Sequence, residues 1–291
     1  MIKQSWKEKS IKLVLLGTAS TSILIVLLIF VFLIKEAGPF ALEPGLKELL
    51  GSRWVPVSFQ RESFGILPLI TGSGLITFIA MLLSIPFGVG AAVYISELAG
   101  PVEREILKPF IEILAGIPSV VVGFFGLIVI VPVVKICFRL QTGLTAVSGA
   151  VLLALMAIPT VISISEDALR SVPGSFKDAS LALGANKMQT IWRVTVPAAL
   201  PGITTAVMLG TGRVIGETMA VMMVTGNAAV LTASPFRSVR TMTATIAAEM
   251  GEVPFGSLHY RALFCVGVVL LVATFLLNVI GHKFFDKHRL K

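Results

Sequence analysis

Six stretches of this sequence run for about 20 or more mostly apolar residues, the length a helix needs to cross a bilayer. Lipid supplies no partner for a backbone N–H or C=O, so each spanning segment must satisfy its own polar groups. The stretches are Leu13–Ile34, Ile66–Ile95, Phe110–Val134, Gly143–Ser165, Ala198–Gly226 and Arg261–Gly281. The expected fold is all-α: a polytopic membrane protein with six transmembrane helices, forming a single domain over residues 1–291. Composition removes the alternatives. The chain is 55% hydrophobic and 14% charged, whereas soluble domains carry about 25% charged residues. A soluble enzyme, a disordered chain and a disulfide scaffold are excluded. Cys137 and Cys265 form neither a framework nor a metal-binding spacing.

The first stretch follows Lys3, Lys7, Lys9 and Lys12, as a signal peptide would. Its apolar run exceeds the usual ~7–15 residues, so it reads as a retained span. Lys35-Glu36 follows it in place of a small-residue cleavage site. The net charge of +8 would point a soluble chain toward nucleic acid. In a membrane chain, basic residues instead collect in cytoplasmic segments, and no nucleic-acid partner is expected. Segments 1–12, 96–109, 166–197 and 281–291 hold 14 Lys and Arg in 69 positions, while 35–65, 135–142 and 227–261 hold 9 in 74. This bias puts both termini in the cytoplasm. Glycines in the second and third stretches, among them Gly72, Gly74, Gly88, Gly90, Gly116, Gly123 and Gly126, allow close helix approach in lipid.

Segment 166–197 is too long for a simple connection. Pro173-Gly174 marks a turn. Ser175 with Asp178, and Asn186 with Gln189, have the spacing of helix capping boxes. Gly184 suits the left-handed position after a helix end, and Pro197 is expected to close the second helix. The pattern predicts two short helices bent at Gly184. Phe176, Ala179, Ala182 and Leu183 make an apolar patch, for either the bilayer surface or a cytoplasmic subunit.

Asp178-Ala179-Ser180, three residues, Gly184, nine residues and Val194-Thr195-Val196-Pro197 resemble the EAA loop of ABC importer permeases. The resemblance implies that Asp178, Ala179, Gly184 and Pro197 belong to a coupling helix that docks into an ATP-binding subunit. The chain carries no G-x-x-x-x-G-K-[S/T] sequence. It is therefore expected to be no enzyme and to bind no cofactor or metal of its own, with ATP and magnesium on a partner ATPase dimer.

The fifth stretch holds two charges, Arg213 and Glu217, one helical turn apart. Each costs at least about 2.5–3.5 kcal/mol at the bilayer centre if unpaired. They read either as a structural ion pair or as an oxyanion contact, because a planar guanidinium binds oxyanions bidentately. Glu112, one turn into the third stretch, reads as an interfacial carboxylate or as a partner of Arg213. Arg237, Arg240, Glu249 and Glu252 read as solvated loop charges, with the two arginines as candidates to receive an anion or hold a binding protein. His259, His282 and His288 have no metal spacing.

Arg213-Val214-Ile215-Gly216-Glu217-Thr218-Met219-Ala220-Val221 resembles the fifth-span signature of phosphate ABC permeases of the PstC type. Leu114-Ala115-Gly116-Ile117-Pro118-Ser119-Val120-Val121 with Gly123-Phe124 resembles their third span, with Val122 where an aromatic is expected. The resemblance implies a type I ABC importer permease fold in the inner membrane. It implies a substrate pathway through Arg213, Glu217, Ser119 and Glu112. The implied partners are an ATPase dimer, a second permease of the PstA type (or a second copy of this chain), an extracytoplasmic phosphate-binding protein and membrane lipid. Sulfate, molybdate or phosphonate are alternative cargoes. An intramembrane enzyme would need a catalytic set, yet spans one to five hold no His and no span core holds Asp. A channel would not require the EAA spacing.

Overall fold

The structure is a computed structural model that describes residues 2–58 and 62–286. Met1, Phe59–Arg61 and the tail 287–291 lie outside the described residues, and with them His288 and, from the charge count, Arg61, Lys287, Arg289 and Lys291. The chain opens with α1 (Ile2–Phe40), a kinked π turn (Ala41–Gly45) and α2 (Leu46–Leu49). A two-stranded hairpin follows, β1 (Trp54–Val55) against β2 (Ser63–Phe64), with Trp54 opposite Phe64. Then come α3 (Leu67–Val93), a π turn (Tyr94–Leu98), α4 (Pro101–Gly116), α5 (Ser119–Phe125), another π turn (Gly126–Ile130) and α6 (Val131–Cys137). The second half holds α7 (Ala146–Arg170), α8 (Gly174–Ala182), α9 (Lys187–Thr190), a π turn (Ile191–Thr195), α10 (Val196–Gly216), α11 (Met219–Val224), α12 (Met242–Glu249) and α13 (Leu258–Asp286).

Among the described residues, six helical runs are long and apolar enough to cross a membrane: Glu8–Gly45, Leu67–Leu98, Ser119–Cys137, Ala146–Arg170, Lys187–Gly216 and Leu258–Gly281. The first run continues to Gly45, past the expected Ile34, and the third and fifth differ in where the helix breaks. The third run starts at Ser119, because Pro118 disfavours helical geometry at Ile117, which is extended (ψ 129). Phe110–Gly116 therefore belong to α4, a separate helix. The fifth run starts earlier, at Lys187, and ends at Gly216. Pro197 does not close a helix. It lacks an N–H, and the wider π turn at Ile191–Thr195 carries the chain into α10 across it.

α7 is the central helix, packed between α3 and α10. Its Ala150, Leu152, Ala157 and Val161 are fully buried. Small residues set the spacing. A Cβ on Gly88 of α3 would lie 2.7 Å from Val161, and one on Gly202 of α10 would strike Ala168. Ser84 fastens α3 to α7 by donating to the carbonyls of Ala80 (2.8 Å) and Ala154 (3.3 Å). Lipid-facing helices gain no hydrophobic drive from association, so this close contact supplies the attraction. Gly72, Gly123 and Gly126 meet neighbours in the same way, whereas Gly74, Gly90 and Gly116 face open space. By contrast, the α1 residues from Leu13 to Val31 are largely exposed. α1 meets α13 near Phe32, whose ring packs edge-on against Phe264 at 5.5 Å.

Gly88→Val is expected to destabilise the bundle by about 1–3 kcal/mol through overpacking. Gly90→Ala should stay within about 0.5 kcal/mol of the parent. Thermal unfolding of both variants in detergent checks the contrast.

Candidate translocation and coupling sites

Two helical runs break and their broken ends lie together. α4 ends at Gly116 and α5 begins at Ser119; α10 ends at Gly216 and α11 begins at Met219. α5 packs on α11, where a Cβ on Gly123 would lie 2.9 Å from the Ala220 Cα. Glu217 is extended (φ −70, ψ 133), so the chain turns away directly after the helix that carries Arg213.

That turn decides the charge arrangement. Arg213 and Glu217 do not form the ion pair expected of one helix face, because no single helix contains both. The Arg213 guanidinium donates from Nη1 to Thr160 Oγ1 of α7 (3.1 Å) and from Nη2 to the Ala115 carbonyl of α4 (3.3 Å). Arg213 is in the last turn of α10 and Ala115 in the last turn of α4. The cation thus sits at two helix C-termini, where the dipoles favour positive charge. Glu217 takes the opposite role. Its Oε1 accepts the Ala220 N–H of α11 (3.2 Å), and its carbonyl accepts the Thr243 hydroxyl (2.8 Å). Arg213 and Glu217 still line one narrow crevice, with Leu153, Met156, Ala157 and Val214.

The other two pathway candidates separate. Ser119 is the first residue of α5, half-buried beside the α4–α5 break. Glu112 is exposed on α4, outside the third spanning run, and makes no ion pair with Arg213 among the described residues. The guanidinium reaches α4 through a backbone carbonyl instead. Sequence reasoning missed Thr160 and the Ala115 carbonyl. Gly116-Ile117-Pro118 was the legible sign of the break, but nothing marked Thr160 as a partner.

The loop after α7 holds two short helices as expected. Gly184 is left-handed (φ +84). The Gly184 N–H bonds the Leu181 carbonyl (2.9 Å) and the Ala185 N–H the Ser180 carbonyl (3.2 Å), which together form a Schellman C-cap. Asn186 and Gln189 cap α9 reciprocally (2.8 and 2.9 Å). The Ser175–Asp178 box is not formed: α8 starts at Gly174 behind Pro173, with no side-chain cap. Asp178 and Ala179 are exposed. Exposed Phe176, Leu181, Leu183, Met188 and Trp192 give this face an apolar edge, with Leu183 at 90% exposure.

The opposite face carries a polar cluster built on Glu249. Its carboxylate meets Arg240 Nη1 (2.5 Å), His259 Nε2 (2.8 Å) and Trp54 Nε1 (3.0 Å). It joins the hairpin, the 227–241 loop, α12 and α13. Arg240 and Glu249 are therefore a built brace, not solvated loop charges, and Arg237 is the exposed arginine of that loop.

Residues 84–289 match the model of the binding-protein-dependent transport system inner membrane component family. The chain belongs to this family. It is 41% identical over 245 residues to the probable ABC transporter permease protein YqgH of Bacillus subtilis, covering 84% of this chain and 77% of that protein. It is 34% identical over 256 residues to the phosphate transport system permease protein PstC of Mesorhizobium japonicum, covering 81% and 77%. For PstC 1 of Mycobacterium tuberculosis the identity is 37% over 240 residues, covering 74% and 70%. The fold resembles the MetNI methionine ABC transporter (TM-score 0.58, 20% identity, covering 78% and 95%) and a bacterial alginate ABC transporter (0.57, 14%, covering 89% and 91%). The chain thus has the fold of type I ABC importer permeases, multi-pass in the inner membrane, and its family is that of non-enzymatic translocation subunits.

Glu249→Gln weakens both the Arg240 and the His259 contact and is expected to destabilise the fold by about 1–3 kcal/mol. Trp54→Phe removes one N–H donor and should cost about 1 kcal/mol. Thermal unfolding of the purified variants measures both.

Proposed function

We propose that this chain is a membrane-spanning permease subunit of an ATP-driven importer that moves inorganic phosphate into the cytoplasm. The observation that carries the reading is the Arg213 guanidinium at the junction of two broken helices, held by a hydroxyl and a carbonyl and by no carboxylate among the described residues. Discontinuous helices are where membrane transporters build substrate sites. The relatives named PstC support phosphate as the cargo.

In this reading Arg213 contacts the anion transiently. A guanidinium offers a planar fork to a tetrahedral oxyanion. Phosphate must compete with the Ala115 carbonyl and Thr160 for those donors, which keeps binding weak enough for release. Glu217 tunes the site by holding the first turn of α11, and Ser119 stands at the edge of the path. Glu112 is not assigned to the path, because it points outward from α4.

An ATPase dimer docks on the apolar edge of 174–197 and supplies ATP and magnesium. Closure of that dimer moves α8 and α9 and flips the bundle between outward- and inward-facing states. A second permease of the PstA type completes the pore, and a binding protein delivers phosphate to the face of the Glu249 cluster. Both termini lie on the ATPase side, as the distribution of Lys and Arg favours.

Radiolabelled phosphate uptake by the assembled transporter tests the reading. Arg213→Gln should bring uptake to background while the ATPase subunit still co-purifies; normal uptake removes the role of Arg213. Competition by sulfate or molybdate equal to that by phosphate would reassign the cargo. Gly184→Val strains the left-handed turn and should leave ATP hydrolysis running while uptake falls. If the two activities stay coupled, the docking assignment fails.

A further inference from the structure

We propose that the Lys177–Glu97 ion pair transmits movement of α8 into α4, and through α4 to the Arg213 site. The proposal rests on the reading that 174–197 docks the ATPase. Lys177 lies on α8, beside Asp178. Its ammonium is 2.7 and 3.0 Å from the two carboxylate oxygens of Glu97. Glu97 belongs to the π turn that ends the second spanning run, and its side chain is only 8% exposed. A pair this sheltered, with both oxygens engaged, is stiffer than a surface salt bridge.

The same turn is gripped from its other side by α4. Arg104 donates Nε and Nη2 to the Ile95 carbonyl (3.1 and 2.8 Å) and Nη2 to the Ser96 carbonyl (2.6 Å). Glu103 accepts the Gly100 N–H (3.0 Å) and the Tyr94 hydroxyl (3.3 Å). The turn and the start of α4 are thereby one piece, tied to α8 by Lys177.

α4 then runs 16 residues, about 24 Å at 1.5 Å per residue. Near its middle, Lys108 pairs with buried Glu166 of α7 (3.0 Å). The hydrogen bond to Glu166 is the main influence holding the Lys108 ammonium above its ordinary pKa, so the ammonium keeps its proton through the physiological range. At the far end, the Ala115 carbonyl accepts from Arg213. α4 is therefore one helix, with Pro109 next to the Lys108 joint, that is joined to the coupling helix at one end, pinned to α7 near the middle and bonded to the arginine at the other. The backbone offers a competing route from α8 through α9 into α10, and movement along that route alone would not need Lys177.

The test uses the assembled transporter in nanodiscs with and without magnesium-ATP. Spin labels at Glu105→Cys on α4 and Ala247→Cys on α12, in a Cys137→Ser background, report the movement of α4. A nucleotide-dependent distance shift is expected in the parent. It should fall by more than half in Lys177→Met and in Glu97→Gln, and return in the charge swap Lys177→Glu/Glu97→Lys. The same shift in parent and single variants, no shift in the parent, or a swap that restores nothing overturns the proposal. Phosphate uptake by the same samples separates the two claims. A pair-dependent shift without uptake removes phosphate and keeps the link; uptake with a pair-independent shift keeps phosphate and removes the link.

Discussion

A backbone polar group in a membrane-spanning segment must find its partner inside the protein, and this chain breaks two helical runs side by side. Each end is answered by a side chain from the other broken helix or from a neighbour. Arg213 covers the Ala115 carbonyl at the end of α4. Glu217 covers an N–H at the start of α11, and Thr243 covers the Glu217 carbonyl at the end of α10. The charges are therefore conditions of the architecture before they are candidates for transport. An arginine that already neutralises two helix C-termini is also the cation an incoming anion would meet. Structure and proposed function share one guanidinium.

The remaining helices hold those breaks in place. α7 presents small and branched residues to α3 and α10 and brings Thr160 beside Arg213. Close approach at Gly88 and Gly202 leaves no room for sliding. On one side of the bundle, Glu97, Arg104, Lys108, Lys177 and Glu166 form joints between α3, α4, α7 and α8. On the other, Glu249 gathers Trp54, Arg240 and His259. The rigid joints flank the bundle, and the breaks lie between them.

Much of this was legible in the residues themselves. Apolar run length marks segments that must be helical in lipid. The Gly184 turn and the Asn186–Gln189 box are local features, so spacing alone was enough to place them. The Ser175–Asp178 box failed because Pro173 already sets the entry geometry of α8. The end of α10 was misread for a related reason. An i,i+4 pattern assumes a continuous helix, and a break at Gly216 turns a supposed neighbour pair into residues with separate partners. The loop charges Arg240 and Glu249 were read as solvated because the contacts with Trp54 and His259 span too many residues for spacing to reveal.

The sequence by itself therefore determined the medium, the helical class, the pair of short helices turned at Gly184 and the presence of costly charges at 213 and 217, because hydrophobic length and local capping chemistry are properties of short segments. Only the tertiary structure decided what those charges do. Arg213 takes its partners from α4 and α7, 98 and 53 residues away, and no periodicity carries information across that separation. Packing brings those distant groups together, and it assigns the arginine to two helix ends and leaves Glu112 outside.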